Sequence, residues 1–343
     1  MTTSLTPIEK VRWHRPLLWF AAAMLLLTIV CVVGFLVDPR HLLGVSVWEK
    51  PGKFAISTAI YAVTWSWLIG QLNRSHRLAW WAGTASAALL AIEMVVIVGA
   101  SAAGMTSHFN VSSVFSTVLW SIMAFSITAL WVATLVVSII LFRNPLGDRA
   151  RTFAIRSGAV LALVGMGLAF LMTGPNADQL NDFQGVAGAH TVGLLDGGPG
   201  LPFLGWSTVA GDLRIPHFIG MHALQIIPLA LVALELLARR VPRLCDVTVR
   251  FRLLVIVAVT YSAVLALVTW QALRGQSIVQ PDALTLVISA AIAVAALVAA
   301  AAVLLKTPGL QVEGLPSVEG EELATARDRD RLNASIGHLA ADD

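Results

Sequence analysis

The sequence predicts an all-α integral membrane protein, a bundle of eight transmembrane helices with both termini in the cytoplasm. Three observations support this prediction. Hydrophobic residues make up 57% of the 343 residues and charged residues only 13%, whereas a soluble domain carries about a quarter charged residues. Eight apolar stretches are each long enough to cross about 30 Å of hydrocarbon. The basic residues are concentrated in alternate loops, as a fixed topology requires.

The predicted spans are apolar runs bounded by polar or charged residues. They lie near residues 17–37, 54–72, 79–100, 113–142, 153–174, 217–238, 253–271 and 284–306. The first run is too long for a signal-peptide core and no small-residue cleavage site follows it, so we expect a retained helix. Residues 1–306 thus form one predicted membrane domain. The polar segment 307–343, of mixed charge, is predicted to be a disordered cytoplasmic tail.

Orientation follows from the basic residues. With the N-terminus inside, 18 of the 23 Lys and Arg residues fall in inner segments, in accordance with the positive-inside rule. His14 and His76 lie among these inner arginines and are expected to face solvent or lipid headgroups. The excess of arginine (19) over lysine (4) is typical of a GC-rich bacterial genome, which makes the bacterial plasma membrane the expected location. The sequence does not fix the oligomeric state.

The two sides of the predicted membrane differ in loop length. Inner loops are short, whereas residues 175–216 form an outer segment of about 42 residues, and long loops are commonly functional. Asp196-Gly197-Gly198 lies between two apolar runs, a pattern that indicates a hairpin. We therefore predict a small β-hairpin or folded lid over the outer helix ends, with an irregular loop as the alternative.

Glu93 and Tyr61 are the candidate catalytic residues. Glu93 lies seven residues before the outer end of the third span, about 10 Å deep at 1.5 Å per residue. Carboxyl groups at such a depth are costly and usually mark function. Tyr61 lies at a similar depth in the second span. It is predicted either to hydrogen-bond Glu93 or to serve in packing.

Histidines concentrate on the predicted outer side. His108, in "SHFN", ends the loop between spans three and four, and His190 lies in the long loop. "RIPHFIGMHALQ", residues 214–225, begins the sixth span with His217 and His222. His108, His190 and His222 are candidate metal ligands, because neutral imidazole is a common ligand. His108 and His222 are also the predicted axial pair for a haem.

The spacing within residues 214–225 restricts what these histidines can do together. Five residues rotate a regular helix by about 500°, which leaves His217 and His222 about 140° apart. They can share a partner only if the helix is distorted between them. His222 and Gln225 lie three apart and share a face. Pro228 is predicted to bend the helix at that depth.

Four basic residues lie where the positive-inside rule or the helix dipole disfavours a cation. Lys50 and Lys53 lie at the N-terminal end of the second span, where cations oppose the helix dipole, and Arg214 precedes the sixth span. Arg274 follows the seventh span, again on the outer side. An anionic or lipid-like partner would explain all four, whether a lipid phosphate, a substrate phosphate or carboxylate, or haem propionates. The alternative is headgroup anchoring with ion pairs to acidic neighbours: Glu49, Asp196, Asp212 and Asp282.

These residues predict one pocket that opens to the outer face. Residues 214–225 would form one wall, Glu93, Tyr61 and His108 the others, and the long loop the cover. Several function classes find no support in the sequence. Phosphate-binding, dinucleotide-binding and serine-nucleophile motifs do not occur. The basic residues follow the topology rule rather than marking nucleic-acid binding, and two cysteines predict no disulfide framework.

Three functions remain open for this pocket. The first is a redox protein that binds b-type haem, with Arg214, Lys50, Lys53 and Arg274 facing the propionates. The second is a cofactor-free transporter, sensor or assembly factor in which Glu93 and the histidines contact protons or ligands. The third is a hydrolase of a lipid-like substrate that uses a transition metal such as zinc, held by the histidines with Glu93 or Asp212.

Overall fold

The computed structural model describes residues 12–305, so the predicted tail at 307–343 lies outside the described residues. The chain is mostly helical. The helices are α1 (Arg15–Val37), α2 (Glu49–Ile69), α3 (His76–Ala102), α4 (Val114–Phe142), α5 (Arg149–Leu168), α6 (Ala177–Asn181), α7 (Arg214–Met221), α8 (Ala223–Leu237), α9 (Val247–Leu273) and α10 (Ala283–Leu305). Two antiparallel strand pairs lie in the loops: β1 (His41–Leu42) with β2 (Val45–Ser46), and β3 (Thr191–Val192) with β4 (Gly211–Asp212).

Six helical segments in residues 12–305 are long and apolar enough to span a membrane: α1, α3, α4, α9, α10 and the run that begins with α5. The pair α7 and α8, bent by 45°, gives a seventh if it counts as one span. The membrane prediction is therefore confirmed in this coarser form. α2 lies at the predicted second span but falls short in hydropathy, because Glu49, Lys50 and Lys53 begin it and serines and threonines continue it. Eight spans and their orientation stay predictions.

Two apolar clusters hold the bundle together. The larger joins α1, α2, α3, α4 and α5, and includes Leu17, Leu68, Ile97 and Leu141. The second joins α5, α8 and α9. α5 contributes to both clusters and so connects the two halves of the bundle. Lipid chains are as apolar as these side chains, so close packing, rather than transfer out of lipid, specifies the arrangement of the helices.

A very close packing contact joins α5 to α7 through two glycines. A Cβ on Gly165 would lie 2.2 Å from the carbonyl carbon of Gly220, so only glycine permits this approach. Two residues after Gly220 the helix breaks, and His222 separates α7 from α8. Pro228, where the sequence predicts a bend, lies inside α8, six residues after this break.

The two ends of the bundle differ in their connecting segments. The arginine-rich end carries the short segments 70–75, 143–148 and 238–246. The loop end carries segments 38–48, 103–113, 173–213 and 274–282. The prediction for His14, near the arginine-rich end, was wrong. Its side chain is buried, accepts from the Leu17 amide at Nδ1 and donates from Nε2 to the Trp80 carbonyl oxygen at 2.9 Å.

The long segment at the loop end is folded. Asn176 and Gln179 form a capping box on α6, and the Gln179 amide bonds both the N–H and the carbonyl of Gly188. A strand pair forms in this segment, but the prediction of a tight hairpin with its turn at Asp196-Gly197-Gly198 was wrong. β3 pairs with β4, twenty residues away, and Asp196 instead turns back to bond the backbone of His190 and Thr191.

Candidate functional site

A cavity of about 1950 Å³ lies at the loop end and extends between the helices. Ten of the eleven candidate residues line it: Lys50, Lys53, Tyr61, Glu93, His108, His190, Arg214, His217, His222 and Gln225. Arg274 is the exception. It lies outside the cavity, stacks on Trp270 and pairs with Asp282 at 2.6 Å. The ion-pair alternative, which names Asp282 as a partner, therefore accounts for Arg274.

Carboxylates neutralise two of the three cavity cations. Lys53 Nζ pairs with Glu49 at 2.7 Å, and Arg214 pairs at 2.6 Å with Asp212, which is fully buried. Lys50 differs from both. Its Nζ donates to His108 Nδ1 at 3.0 Å, and it makes no ion pair with any carboxylate among residues 12–305. The ion-pair alternative thus explains Lys53 and Arg214 but leaves the charge of Lys50 available.

His108 lies in an aromatic enclosure. The rings of Phe54, Phe109, Trp120 and His190 lie within 6.3 Å of its ring, centroid to centroid. Burial, followed by the neighbouring Lys50 and His190, holds the pKa of His108 well below its ordinary value. Because an ammonium can only donate, Nδ1 accepts and Nε2 carries the proton. His108 is therefore a neutral hydrogen-bond donor at Nε2.

His190 and Asp196 form a hydrogen-bonded pair in the loop over the cavity. The two side chains meet at 2.6 Å, and Asp196 also accepts from the amides of His190 and Thr191 and from the Thr191 hydroxyl. Burial lowers the pKa of His190, and Asp196 partly offsets this. Although burial acts to raise the pKa of Asp196, the bonds from His190 and Thr191 bring it below its ordinary value. The pair orients His190 with an accepting Nε2, as a carboxylate orients a general base.

The break at His222 brings two more imidazoles to the cavity. His217 Nδ1 donates to the Gly165 carbonyl oxygen at 2.8 Å, and His222 Nδ1 donates to Gln225 Oε1 at 3.4 Å. Gln225 Nε2 in turn donates to Thr64 at 3.1 Å. No group among residues 12–305 bonds the Nε2 atoms of His190, His217 or His222. Both His217 and His222 line the cavity, and the helix is interrupted at His222, where the spacing required a distortion.

Glu93, on α3, is a buried acid in the cavity wall. The residue is 6% exposed, and Oε1 has no hydrogen-bond partner in the described part of the chain. The predicted bond from Tyr61 is not formed, because the Tyr61 hydroxyl lies 2.7 Å from Thr134 Oγ1. Glu93 is thus left for a ligand or a proton, since an unpartnered buried carboxyl group is costly.

Metal binding finds no preformed cluster here. Across residues 12–305, the structure has no group of three or more His, Cys, Asp or Glu side chains placed to hold a metal ion. His108, His190 and His222 all line the cavity, yet they do not form such a group. The zinc hydrolase hypothesis therefore lacks its expected ligand set.

Sequence reasoning missed two partners of this site. Asp196 was assigned to a turn and to ion pairing with the cations, but it orients His190. Thr134, on α4, was not predicted as a site residue, although its hydroxyl forms a hydrogen bond with the Tyr61 hydroxyl. The six-residue separation of His190 and Asp196 within one loop is a signal that could have found the first pair. Thr134 carries no local signal, because its contact depends on how two helices are rotated.

Comparison with protein-family models, with curated proteins and with solved structures finds no match to this chain. Function is therefore argued from the cavity itself.

Proposed function

We propose that the protein binds an anionic amphiphile in the cavity, with the anionic head at Lys50 and the apolar part among the helices. One observation carries the proposal. A continuous cavity joins Lys50 at the loop end to apolar side chains such as Leu130 and Met166 deep in the bundle. Membrane lipid and lipid-like solutes have this polarity, with one charged end and a long apolar end.

Lys50 and His108 supply the donors for the head. Lys50 keeps a cation that is not neutralised by a carboxylate in residues 12–305, and His108 presents an N–H at Nε2. Charge-assisted hydrogen bonds to a phosphate or carboxylate are roughly twice as strong as neutral ones. Lys53 and Arg214 line the same cavity, but their carboxylate partners reduce their contribution.

The apolar part of the cavity supplies room for a chain or ring system. Leu90, Met123, Leu130 and Met166 line it, and all four are buried side chains of the larger core cluster. The volume of about 1950 Å³ exceeds the roughly 300–1,000 Å³ of ordinary small-molecule sites. A compact ion would leave most of this space unused, whereas an amphiphile would fill it. This role agrees with the transporter, sensor or assembly-factor class.

The test compares two ligands that share a tail. Dodecyl phosphate and dodecylphosphocholine are added at equal mole fraction to the full chain in maltoside micelles, and thermal unfolding is followed. Dodecyl phosphate raises the Tm more, because a ligand that binds only the folded state stabilises it by RT ln(1 + [L]/Kd). Lys50→Gln abolishes the difference between the ligands.

Arg274→Gln is the matched control. Arg274 is also a cation at the loop end, yet it lies outside the cavity, so its variant keeps the difference between the two ligands. Equal Tm shifts for both ligands in the wild-type protein would overturn the proposal. So would an unchanged preference for dodecyl phosphate in Lys50→Gln.

A second candidate ligand is b-type haem, itself an anionic amphiphile. The supporting observation is that His217 and His222 each hold Nδ1 in a hydrogen bond and leave Nε2 unbonded, the arrangement typical of ligating histidines. His108 fits this role less well, because Lys50 donates to its Nδ1 and four rings surround it. An absorption spectrum of the purified protein, oxidised and then dithionite-reduced, tests this candidate through the Soret band and the sharp α and β bands.

A further inference from the structure

The cavity wall between α2 and α8 is not a packed helix interface. α2 packs closely on α1 and α3, and α8 packs closely on α5 and α9, whereas α2 and α8 make no comparably close contact along their lengths. Each presents a stripe of cavity-lining residues to the gap. The stripe begins at His222, just before α8, and continues on α8 through Gln225, Ile226 and Leu229. These positions have the i, i+3, i+4, i+7 spacing of one helix face.

Apolar side chains on both sides of this gap line the cavity and also reach the outer surface of the bundle. Ile56 and Ile60 of α2 are 38% and 40% exposed, and Ile226 and Leu229 of α8 are 44% and 63% exposed. Side chains that combine substantial exposure with cavity lining are those expected at the edge of an opening. We call the gap between these four residues the α2–α8 seam.

The seam lies at the depth of lipid chains rather than at a headgroup surface. Ile60 is eleven residues from the start of α2, and Leu229 is fifteen residues from the start of α7. At 1.5 Å per residue these positions are roughly 16 Å and 22 Å along the helices. A hydrocarbon layer is about 30 Å thick, so the exposed aliphatic side chains of the seam face lipid chains.

A single polar bond crosses the seam among the described side chains of the two helices. Gln225 Nε2 donates to Thr64 Oγ1 at 3.1 Å. Thr64 lies four residues beyond Ile60 on α2, and Gln225 lies four residues before Leu229 on α8. The bond therefore ties the two helices together within the range of depths that the seam spans.

From these observations we infer that the α2–α8 seam is a lateral entrance from the bilayer, and that the ligand is a lipid whose hydrocarbon chain enters through it. This inference rests on the proposed function for the position of the head at Lys50. The chain lies in the apolar cavity and passes Ile60 and Leu229. The head reaches Lys50 without crossing the folded loops.

Photo-crosslinking in a bilayer tests the entrance. The full chain is placed in phosphatidylcholine nanodiscs that contain phosphatidic acid with a diazirine in one acyl chain, and labelled residues are mapped by mass spectrometry. Met123, Leu130 and Met166 line the cavity but are buried from the bundle surface. Label on these three residues is the expected result, because only a chain inside the cavity reaches them.

Two pairs of variants locate the route. Ile60→Trp with Leu229→Trp fills the seam and abolishes label on the interior residues. Val63→Trp with Val232→Trp is the control, because both positions are exposed on the same helices but do not line the cavity. Interior label that persists in the seam-filling protein, or that is lost equally in the control, would overturn the entrance.

A phosphatidylcholine probe with the same diazirine chain separates the two proposals. Equal interior labelling by both lipids supports the entrance and contradicts the anionic head. Absence of interior label from either lipid, combined with stabilisation by dodecyl phosphate, overturns the entrance and leaves the proposed function standing. Stronger interior labelling by phosphatidic acid supports both.

Discussion

Asn144 and Glu93 are both buried polar side chains in helical surroundings, but their hydrogen bonding is opposite. Asn144, at the arginine-rich end, accepts from the amides of Asn73 and Arg74 and donates to the carbonyl oxygens of Arg74 and Ile140. Its bonding capacity is filled. Glu93, in the cavity wall, makes no hydrogen bond within residues 12–305. The first residue holds chain segments together, whereas the second keeps its bonding capacity for something else.

The histidines repeat this difference. His14 uses both ring nitrogens within the protein, whereas His190, His217 and His222 each use Nδ1 alone and leave Nε2 at the cavity. At the arginine-rich end, Arg156 and Arg250 leave Nε unbonded within the described residues, but other nitrogens of both side chains donate to backbone carbonyl oxygens. At the loop end, each of these three imidazoles leaves one nitrogen unbonded beside the cavity. Buried polar groups normally have partners, so exceptions that face a cavity indicate where a ligand is expected.

The largest expected effect is at Asn144. Asn144→Leu leaves backbone groups of Asn73, Arg74 and Ile140 without their side-chain partner, and we expect a loss of about 3 kcal/mol in the free energy of unfolding. Unfolding in mixed micelles measures it. Asn73→Leu is the control, because that side chain is exposed. A loss below that of the control would mean that the bonds of Asn144 contribute nothing.

Gly165→Ala comes next, because it separates cavity shape from overall packing. The added methyl group meets the Gly220 backbone, so α7 shifts and the His217 bond to the Gly165 carbonyl is strained. We expect about 2 kcal/mol of destabilisation together with weaker dodecyl phosphate binding. Gly167→Ala is the matched control, since the nearest atom to its Cβ is Trp131 Nε1 at 3.8 Å. Equal effects of the two variants would contradict the close-contact argument.

The pH dependence of stability follows from the buried loop histidines. Burial lowers the pKa of His108 below its ordinary value, so the unfolded chain takes up a proton that the folded chain does not. Stability is therefore full above pH about 6.5 and falls on acidification, by at most about 1.4 kcal/mol per pH unit for this group. His108→Phe reduces the slope of Tm against pH below 6.5, and His41→Phe, at an exposed position, is the control. An unchanged slope in His108→Phe would show that folding does not lower the pKa of His108.

The smallest expected effect on stability is at Glu93. Glu93→Gln removes an acid that bonds nothing in the described residues, so the free energy of unfolding changes by less than about 1 kcal/mol. Denaturation in the same micelles measures this beside Asn144→Leu. A loss as large as that of Asn144→Leu would place Glu93 among the structural polar groups and remove the difference between the two ends.

The sequence contained most of the helix positions but not the helix geometry. α4 spans Val114–Phe142, close to the predicted 113–142, because a long apolar run bounded by polar residues leaves little choice. The break at His222 was displaced from Pro228, because it coincides with a long-range contact between Gly165 and Gly220. No local pattern encodes which two glycines will meet.

The candidate site was predictable as a set but not as a network. Residues at helix ends on one side of a membrane must lie near one another, so His108, His217 and Lys50 could be grouped from topology. Their partners could not, since the contact of Tyr61 with Thr134 depends on helix rotation. Arg274 lies apart from this group, because it forms an ion pair with Asp282, eight residues along the chain.

The bonding of the loop segment 173–213 has a consequence for how a ligand gains affinity. Gln179 bonds the Gly188 backbone, and the buried Asp212 carboxylate accepts from the Ser207 amide at 2.8 Å. The segment is therefore ordered before anything binds. Ordering a backbone residue costs about 1–2 kcal/mol of conformational entropy, and binding to an ordered segment avoids that cost. Because this segment is already held by its own bonds, we expect a bound molecule to exchange through the α2–α8 seam rather than through the segment.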